Sequence, residues 1–166
     1  PPVAAAKPVP GKGAAGKAAV GKAAPPPQAA LASAQKEETY ILESPVYRVV
    51  FSNRGATVRS WVLKEFKDAN GKPVDLVNAH SGAERPFGWA FSYVFPKEQP
   101  PSDLNSALFA VSQPTPRLIE FSYNDGKSIA TKSFKLHDSL YLAEYQSKVS
   151  AGDAGANNFA AFRRHI

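Results

Sequence analysis

Arg117–Val149 reads RLIEFSYNDGKSIATKSFKLHDSLYLAEYQSKV. In its first part Ile119, Phe121 and Tyr123 alternate with Leu118, Glu120 and Ser122. That is the period-two pattern of a strand with one buried face. Asn124-Asp125-Gly126 follows, a strong signal for a hairpin turn. From Lys127 to Leu136 the alternation resumes, with Phe134 and Leu136 on the side of Ala130 and Lys132. His137-Asp138-Ser139 predicts the next turn. Leu140–Val149 then predicts a returning strand with Tyr141, Ala143, Tyr145 and Val149 on one face. Strands joined in series by short turns make an antiparallel meander, and this one sets the fold class as all-β.

The flanking sequence extends the same plan. Val46–Phe51 predicts a strand with Tyr47, Val49 and Phe51 on one face and Arg48 on the other. Thr57–Leu63 predicts a second, with Trp61 and Leu63 on one face and Val58 and Val62 on the other. Both faces are apolar, so this strand is expected to be covered on both sides. Asn53-Arg54-Gly55 lies between the two, where Gly supplies the positive φ of a tight turn. Asn70-Gly71 separates Leu63–Phe66 from Val74–Val77. Trp89–Phe95 predicts an aromatic strand with Trp89, Phe91, Tyr93 and Phe95 in register. Residues 96–106, rich in Pro, Ser and Asp, predict a loop. After Ala151-Gly152-Asp153, Asn158–His165 predicts a last strand. The chain then stops in a strand-like run, Arg163-Arg164-His165-Ile166, so more of the sheet is expected beyond residue 166.

Residues 1–36 are different in kind. They are almost entirely Ala, Pro, Gly and Lys, with no Asp or Glu. Lys7, Lys12, Lys17 and Lys22 recur every five residues, a spacing that places nothing on one helical face. So few large apolar side chains cannot offset the entropy of ordering, and a disordered linker is expected over residues 1–38. Aromatic and β-branched residues begin at Tyr40, which puts the folded domain at residues 39–166.

Charge follows this division. The 166 residues carry a formal net charge of +6, and Lys7, Lys12, Lys17, Lys22 and Lys36 supply nearly all of it. The folded part is close to neutral, which argues against a nucleic-acid partner. There is no Cys, so a disulfide framework and a thiolate metal site are both excluded. No run approaches the roughly 18 consecutive apolar residues of a membrane span. No basic stretch leading into an apolar one marks a signal peptide.

Catalytic chemistry is hard to find. His80, His137 and His165 have no second His at metal-ligand spacing. No nucleophile elbow, P-loop or dinucleotide fingerprint occurs. His137-Asp138-Ser139 has the residue types of a hydrolase triad, but neighbours in a tight turn point apart. Glu43, Glu65, Glu84, Glu98, Glu120 and Glu144 offer carboxylates, and no spacing selects a pair. No catalytic, cofactor-binding or metal-binding residue is assigned, and the chain is not expected to be an enzyme. A second reading takes Trp61 and the aromatic run Trp89–Phe95 as a platform for sugar, making the chain a carbohydrate-binding β-sandwich module.

Thr39–Asp75 reads TYILESPVYRVVFSNRGATVRSWVLKEFKDANGKPVD. A strand ends in Ser52-Asn53-Arg54-Gly55, and the next carries Trp61 and Leu63. The short charged stretch Lys64–Asp68 then leads through a turn to Pro73-Val74-Asp75-Leu76-Val77. This resembles the start of the large periplasmic domain of the YidC family of membrane protein insertases. Thr131-Lys132-Ser133-Phe134, followed by Tyr141 and Val149, is similar to that domain's central hairpin. The resemblance covers about residues 39–150.

It implies a twisted antiparallel β-sandwich, the supersandwich of galactose mutarotases, with residues 39–166 forming only its first part. It implies a place on the periplasmic side of the bacterial inner membrane, held there by segments outside this chain. It implies insertase and chaperone work in a membrane core not included here, with Sec translocon components and nascent membrane proteins as partners. Asn53, Gly55, Trp61 and Leu63 match the domain's motif, and the resemblance gives them a structural role, the first two in a turn and Trp61 as a core anchor.

Overall fold

A computed structural model of the chain describes residues 31–77, 88–152, 158–159 and 163–165, the last two pairs of limits as backbone. Residues 1–30, the bulk of the expected linker, and His80 and Glu84 lie outside the described residues. Every regular element described is a strand.

The first sheet runs β1 (Thr39–Glu43), β2 (Tyr47–Ser52), β3 (Thr57–Lys67) and β4 (Pro73–Asp75) in chain order, each antiparallel to the next. The second contains β5 (Ala110–Thr115), β6 (Leu118–Asn124), β7 (Ser128–Leu136) and β8 (Ala143–Ala151). Two short strands, β9 (Asn158–Phe159) and β10 (Arg163–His165), both pair with β8. Both lie within the stretch Asn158–His165 where a last strand was expected, and residues 160–162 between them are outside the described residues. The predicted meander is β6–β7–β8 in unbroken register, from Leu118 opposite Lys135 to Leu136 opposite Ala143. Tyr141 precedes β8 and lies in the turn rather than on the strand face.

The inner faces of the two sheets meet in one core. Tyr47, Val49, Phe51, Val58 and Trp61 come from the first sheet; Ile119, Phe121, Ala130, Phe134 and Val149 come from the second. Phe51 lies between the sheets, with its ring centroid 4.9 Å from that of Phe134 and 5.9 Å from that of Phe121. Offset and edge-on pairs of this kind add to the burial of the rings themselves. The molecule is thus an all-β antiparallel sandwich, as the alternation predicted.

Two strand readings need correction. Val58 and Trp61 do not lie on opposite faces of β3, because a bulge intervenes: Val50 pairs with Ser60 and Phe51 with Val58. Arg59 is the extra residue, so both Val58 and Trp61 point into the core, and Val62 is only half-buried. Trp89–Phe95 is not a strand. Gly88 (φ 65°) and Phe91 (φ 65°) each turn the chain back, so 88–95 is an irregular strap whose one ladder contact is Ala90 with Val58. Strands β1 and β5 carried no clear alternation of their own in the sequence. β5 contains Gln113 and Pro114 and is mostly exposed, as suits an edge.

Ahead of β1, Ala32 pairs with Asn124, and the amide of Ala34 donates to the carbonyl of Leu108. Residues 32–34 therefore bond beside the second sheet, and residues 36–38 bond to the end of β2 in the first.

Candidate functional site

The motif residues Asn53, Gly55, Trp61 and Leu63 divide between a turn and a groove. Asn53 is fully buried, and its side chain is a hub. Its Nδ2 donates to the carbonyl of Lys36 at 2.9 Å, and its Oδ1 accepts from the amide of Glu38 at 2.8 Å. Its own carbonyl accepts from the amide of Phe109 at 2.9 Å. One amide side chain thus ties the segment entering β1 to the end of β2. Gly55 follows in the left-handed region (φ 66°), and its amide donates to Ala107. The turn is also held by charge. Glu37 receives Arg54 Nε at 2.7 Å, Ser52 Oγ at 2.9 Å and Arg59 at 3.0 Å. The bonds from Arg54 and Ser52 hold the Glu37 carboxyl below its usual range.

The carbonyls of Gly55 and Ala56 point at an unexpected partner. Lys132 lies on β7 among Ala130 and Phe134, only 1% exposed. Its Nζ donates to Gly55 O at 2.9 Å, Ala56 O at 3.2 Å and Phe91 O at 2.5 Å. The ammonium also lies 3.8 Å from the centroid of the Tyr93 ring. Burial pushes its pKa well below the ordinary lysine value. The alternation of β7 places Lys132 on the apolar face, and that was the available signal: a charged residue in register with the core.

Trp61 and Leu63 line a different feature. An apolar groove of about 450 Å³ opens between the far end of β3 and the turn before β8. Its walls include Tyr47, Trp61, Leu63, Phe66, Phe91 and Tyr141. Trp61 is the floor, edge-on to Tyr47 at 5.8 Å and stacked toward Phe91 at 6.4 Å. At the rim Phe66, Leu76 and Tyr141 are about half exposed, at 51%, 59% and 44%. The Tyr47 hydroxyl closes the inner end by bonding the backbone of His137 at 2.9 Å. Burial raises its pKa. A second groove of about 760 Å³ runs over the outer face of the other sheet, lined by Ser122, Thr131, Ser133, Gln146 and Lys148 among others.

The other sequence candidates do not converge. His137 faces Glu144 at 3.0 Å, while Asp138 pairs with Arg117, so the His-Asp-Ser run is not assembled into a triad. Glu43 pairs with Lys64, and Glu65 accepts from the Tyr141 hydroxyl. Among the described residues no three His, Asp or Glu side chains gather where they would hold a metal. The run Trp89–Phe95 does not align its four rings on one strand face. Phe91, Tyr93 and Phe95 pack against the core, and Trp89 is covered by the Arg59 guanidinium at 4.3 Å from its ring centroid. The reason is the two positive-φ turns at Gly88 and Phe91, which break the register that would have aligned the rings.

Over 60 residues the chain is 30% identical to the membrane protein insertase YidC of Syntrophus aciditrophicus. That stretch is 34% of this chain and 11% of the insertase. No protein-family model matches. A GalM/aldose epimerase homologue from C. elegans is similar in structure, at 15% identity and a TM-score of 0.48, over 70% of this chain and 46% of that one. Among the described residues no helix is long and apolar enough to cross a membrane.

Proposed function

We propose that this chain is part of a bacterial membrane protein insertase of the YidC type, and that its β-sandwich is a non-catalytic scaffold on the periplasmic side of the inner membrane. The observation that carries the reading is the 60-residue similarity to an insertase. The motif residues support it by behaving as structural parts: Asn53 and Gly55 build a turn, and Trp61 anchors the core. Side chains grouped for catalysis play no part in it.

In this reading the domain meets Sec translocon components and nascent membrane proteins. The apolar groove around Trp61 is the surface whose chemistry suits an apolar client segment. Half-exposed Phe66, Leu76 and Tyr141 at its rim supply the area on which such a segment would rest.

An immunoblot of fractionated cells with an antibody against residues 39–150 tests the reading. The expected band is much heavier than 17.8 kDa and stays with the membrane through alkaline carbonate washing. A soluble band near 17.8 kDa overturns it. A photo-crosslinking residue at position 66 then tests the groove, with the expected adducts being Sec components or newly made membrane proteins. Adducts that persist unchanged when membrane-protein synthesis is blocked and Sec is depleted would remove the groove from the proposal.

A further inference from the structure

Three residues in the left-handed region send their carbonyls to one point. Gly55 (φ 66°), Ala56 (φ 49°) and Phe91 (φ 65°) all accept hydrogen bonds from Lys132 Nζ. Ala56 and Phe91 are the non-glycine residues with positive φ among those described. A side chain bearing Cβ resists that conformation. Something must offset that resistance at both positions. The common element is the ammonium, whose partners are carbonyls and a tyrosine face rather than a carboxylate.

The Phe91 carbonyl belongs to the strap 88–95, whose backbone is also anchored on either side of it. The amide of Val58 donates to Ala90 O at 3.0 Å. Asn105 grips the backbone of Tyr93, accepting from its amide at 2.8 Å and donating to its carbonyl at 2.9 Å. Between these two anchors Lys132 adds a hydrogen-bonded tie from the Phe91 carbonyl to β7 of the opposite sheet. The strap in turn carries Phe91, whose ring meets Phe134 at 5.1 Å and Tyr145 at 4.9 Å and forms a wall of the apolar groove.

We propose that Lys132 is a latch: its ammonium, bridging Gly55, Ala56 and Phe91, holds the 88–95 strap shut over the core, and its release withdraws Phe91 and deepens the apolar groove. Nothing needs to unfold for this to happen. The β6–β7–β8 meander keeps its own ladder, while Trp61, Phe134 and Tyr145 lose the ring that covers them. The latch rests on backbone geometry and does not depend on which partner the groove meets.

Hydrogen exchange of the full chain, followed by mass spectrometry, tests this in wild type and Lys132→Met. The variant retains an apolar chain of similar length and loses the donors. Strap amides, those of Ser92 and Tyr93 included, are expected to exchange about tenfold faster or more, the effect of losing a hydrogen bond to a charged donor on a local opening. The amides of β6 and β7 keep their protection. Unchanged strap protection in a folded variant overturns the latch.

If the variant does not fold, wild type still decides. Acylation of Lys132 by an amine reagent is expected to keep pace with exchange of the strap amides and to outrun exchange in β6 and β7. Acylation no faster than the β6–β7 amides exchange would mean that Lys132 is freed only by global unfolding, and the proposal falls.

Discussion

At Gly55 the chain turns with φ 66°, and a Cβ built there would lie 2.7 Å from the carbonyl oxygen of Asn105. That neighbour is backbone and cannot step aside. Gly55→Ala is therefore expected to lose about 3 kcal/mol, from strain and from the clash together, read as a lower urea midpoint at unchanged slope. Lys132 offers a test by pH. Burial holds its folded pKa well below the ordinary lysine value of 10.5. Below 10.5, wherever the folded chain has already lost the proton that the unfolded chain keeps, stability rises with pH. Urea titrations at stepped pH are expected to show this rise in wild type and to lose it in Lys132→Met. A rise of equal size in the variant would place its origin in another group.

The β6–β7 hairpin shows how much of an element is local chemistry. Asn124 Oδ1 accepts from the amide of Gly126, and Asp125 Oδ1 accepts from the amides of Lys127 and Ser128 at 2.9 and 2.8 Å. Gly126 takes φ 84°. This is why Asn-Asp-Gly was readable as a turn from residue types alone. Asp125 also reaches outward, accepting from Ser102 Oγ of the 96–106 loop at 2.5 Å. Burial acts to raise its pKa, but the bonds from Ser102, the two amides and Tyr123 prevail and set it at about 2. A depressed carboxyl stabilises the fold above its unfolded value near 3.8, and that contribution fades as pH falls through about 2. Asp125→Asn keeps an acceptor in the turn. It is expected to flatten the acid limb between those values, followed by circular dichroism; an acid limb of wild-type steepness would contradict the assignment. Gly152 lies against this hairpin: its amide donates to the Lys127 carbonyl at 2.7 Å, and a Cβ there would meet the Gly126 carbonyl oxygen at 2.1 Å. Gly152 was readable as a turn residue, but its contact with Gly126 was not.

Across the whole molecule the two sheets depend on each other, because neither buries its inner face alone. Phe51 is fully buried between Phe134 and Phe121. Phe51→Ala is expected to cost about 3–5 kcal/mol through lost burial and a residual cavity. Tryptophan fluorescence reports on Trp61 in the first sheet and Trp89 in the strap beside it, and far-UV circular dichroism reports on both sheets. The two signals are expected to fall together in one transition. Separate midpoints would show that the sheets unfold as independent units.

Alternation along Val46–Phe51 and Arg117–Val149 was sufficient to dictate antiparallel strands, their inner faces and the turns between them, since those depend on contacts a few residues apart. The core positions of Tyr47, Phe51, Phe121 and Phe134 followed directly. Asn53 and Gly55 were legible as a turn and Trp61 as an anchor, yet the groove that Trp61 and Leu63 line needs Tyr141 from some eighty residues away. The strap at 88–95 defeated the pattern. Its aromatics alternate as a strand would, but Phe91 sits at positive φ with its carbonyl bonded to Lys132 on β7, and the side chain of Asn105 bonds the Tyr93 backbone. Periodicity reports which face a residue prefers and carries no information about a distant donor. Packing alone brought Lys132 beneath three carbonyls, where the energy of its hydrogen bonds outweighs the local preference of the backbone.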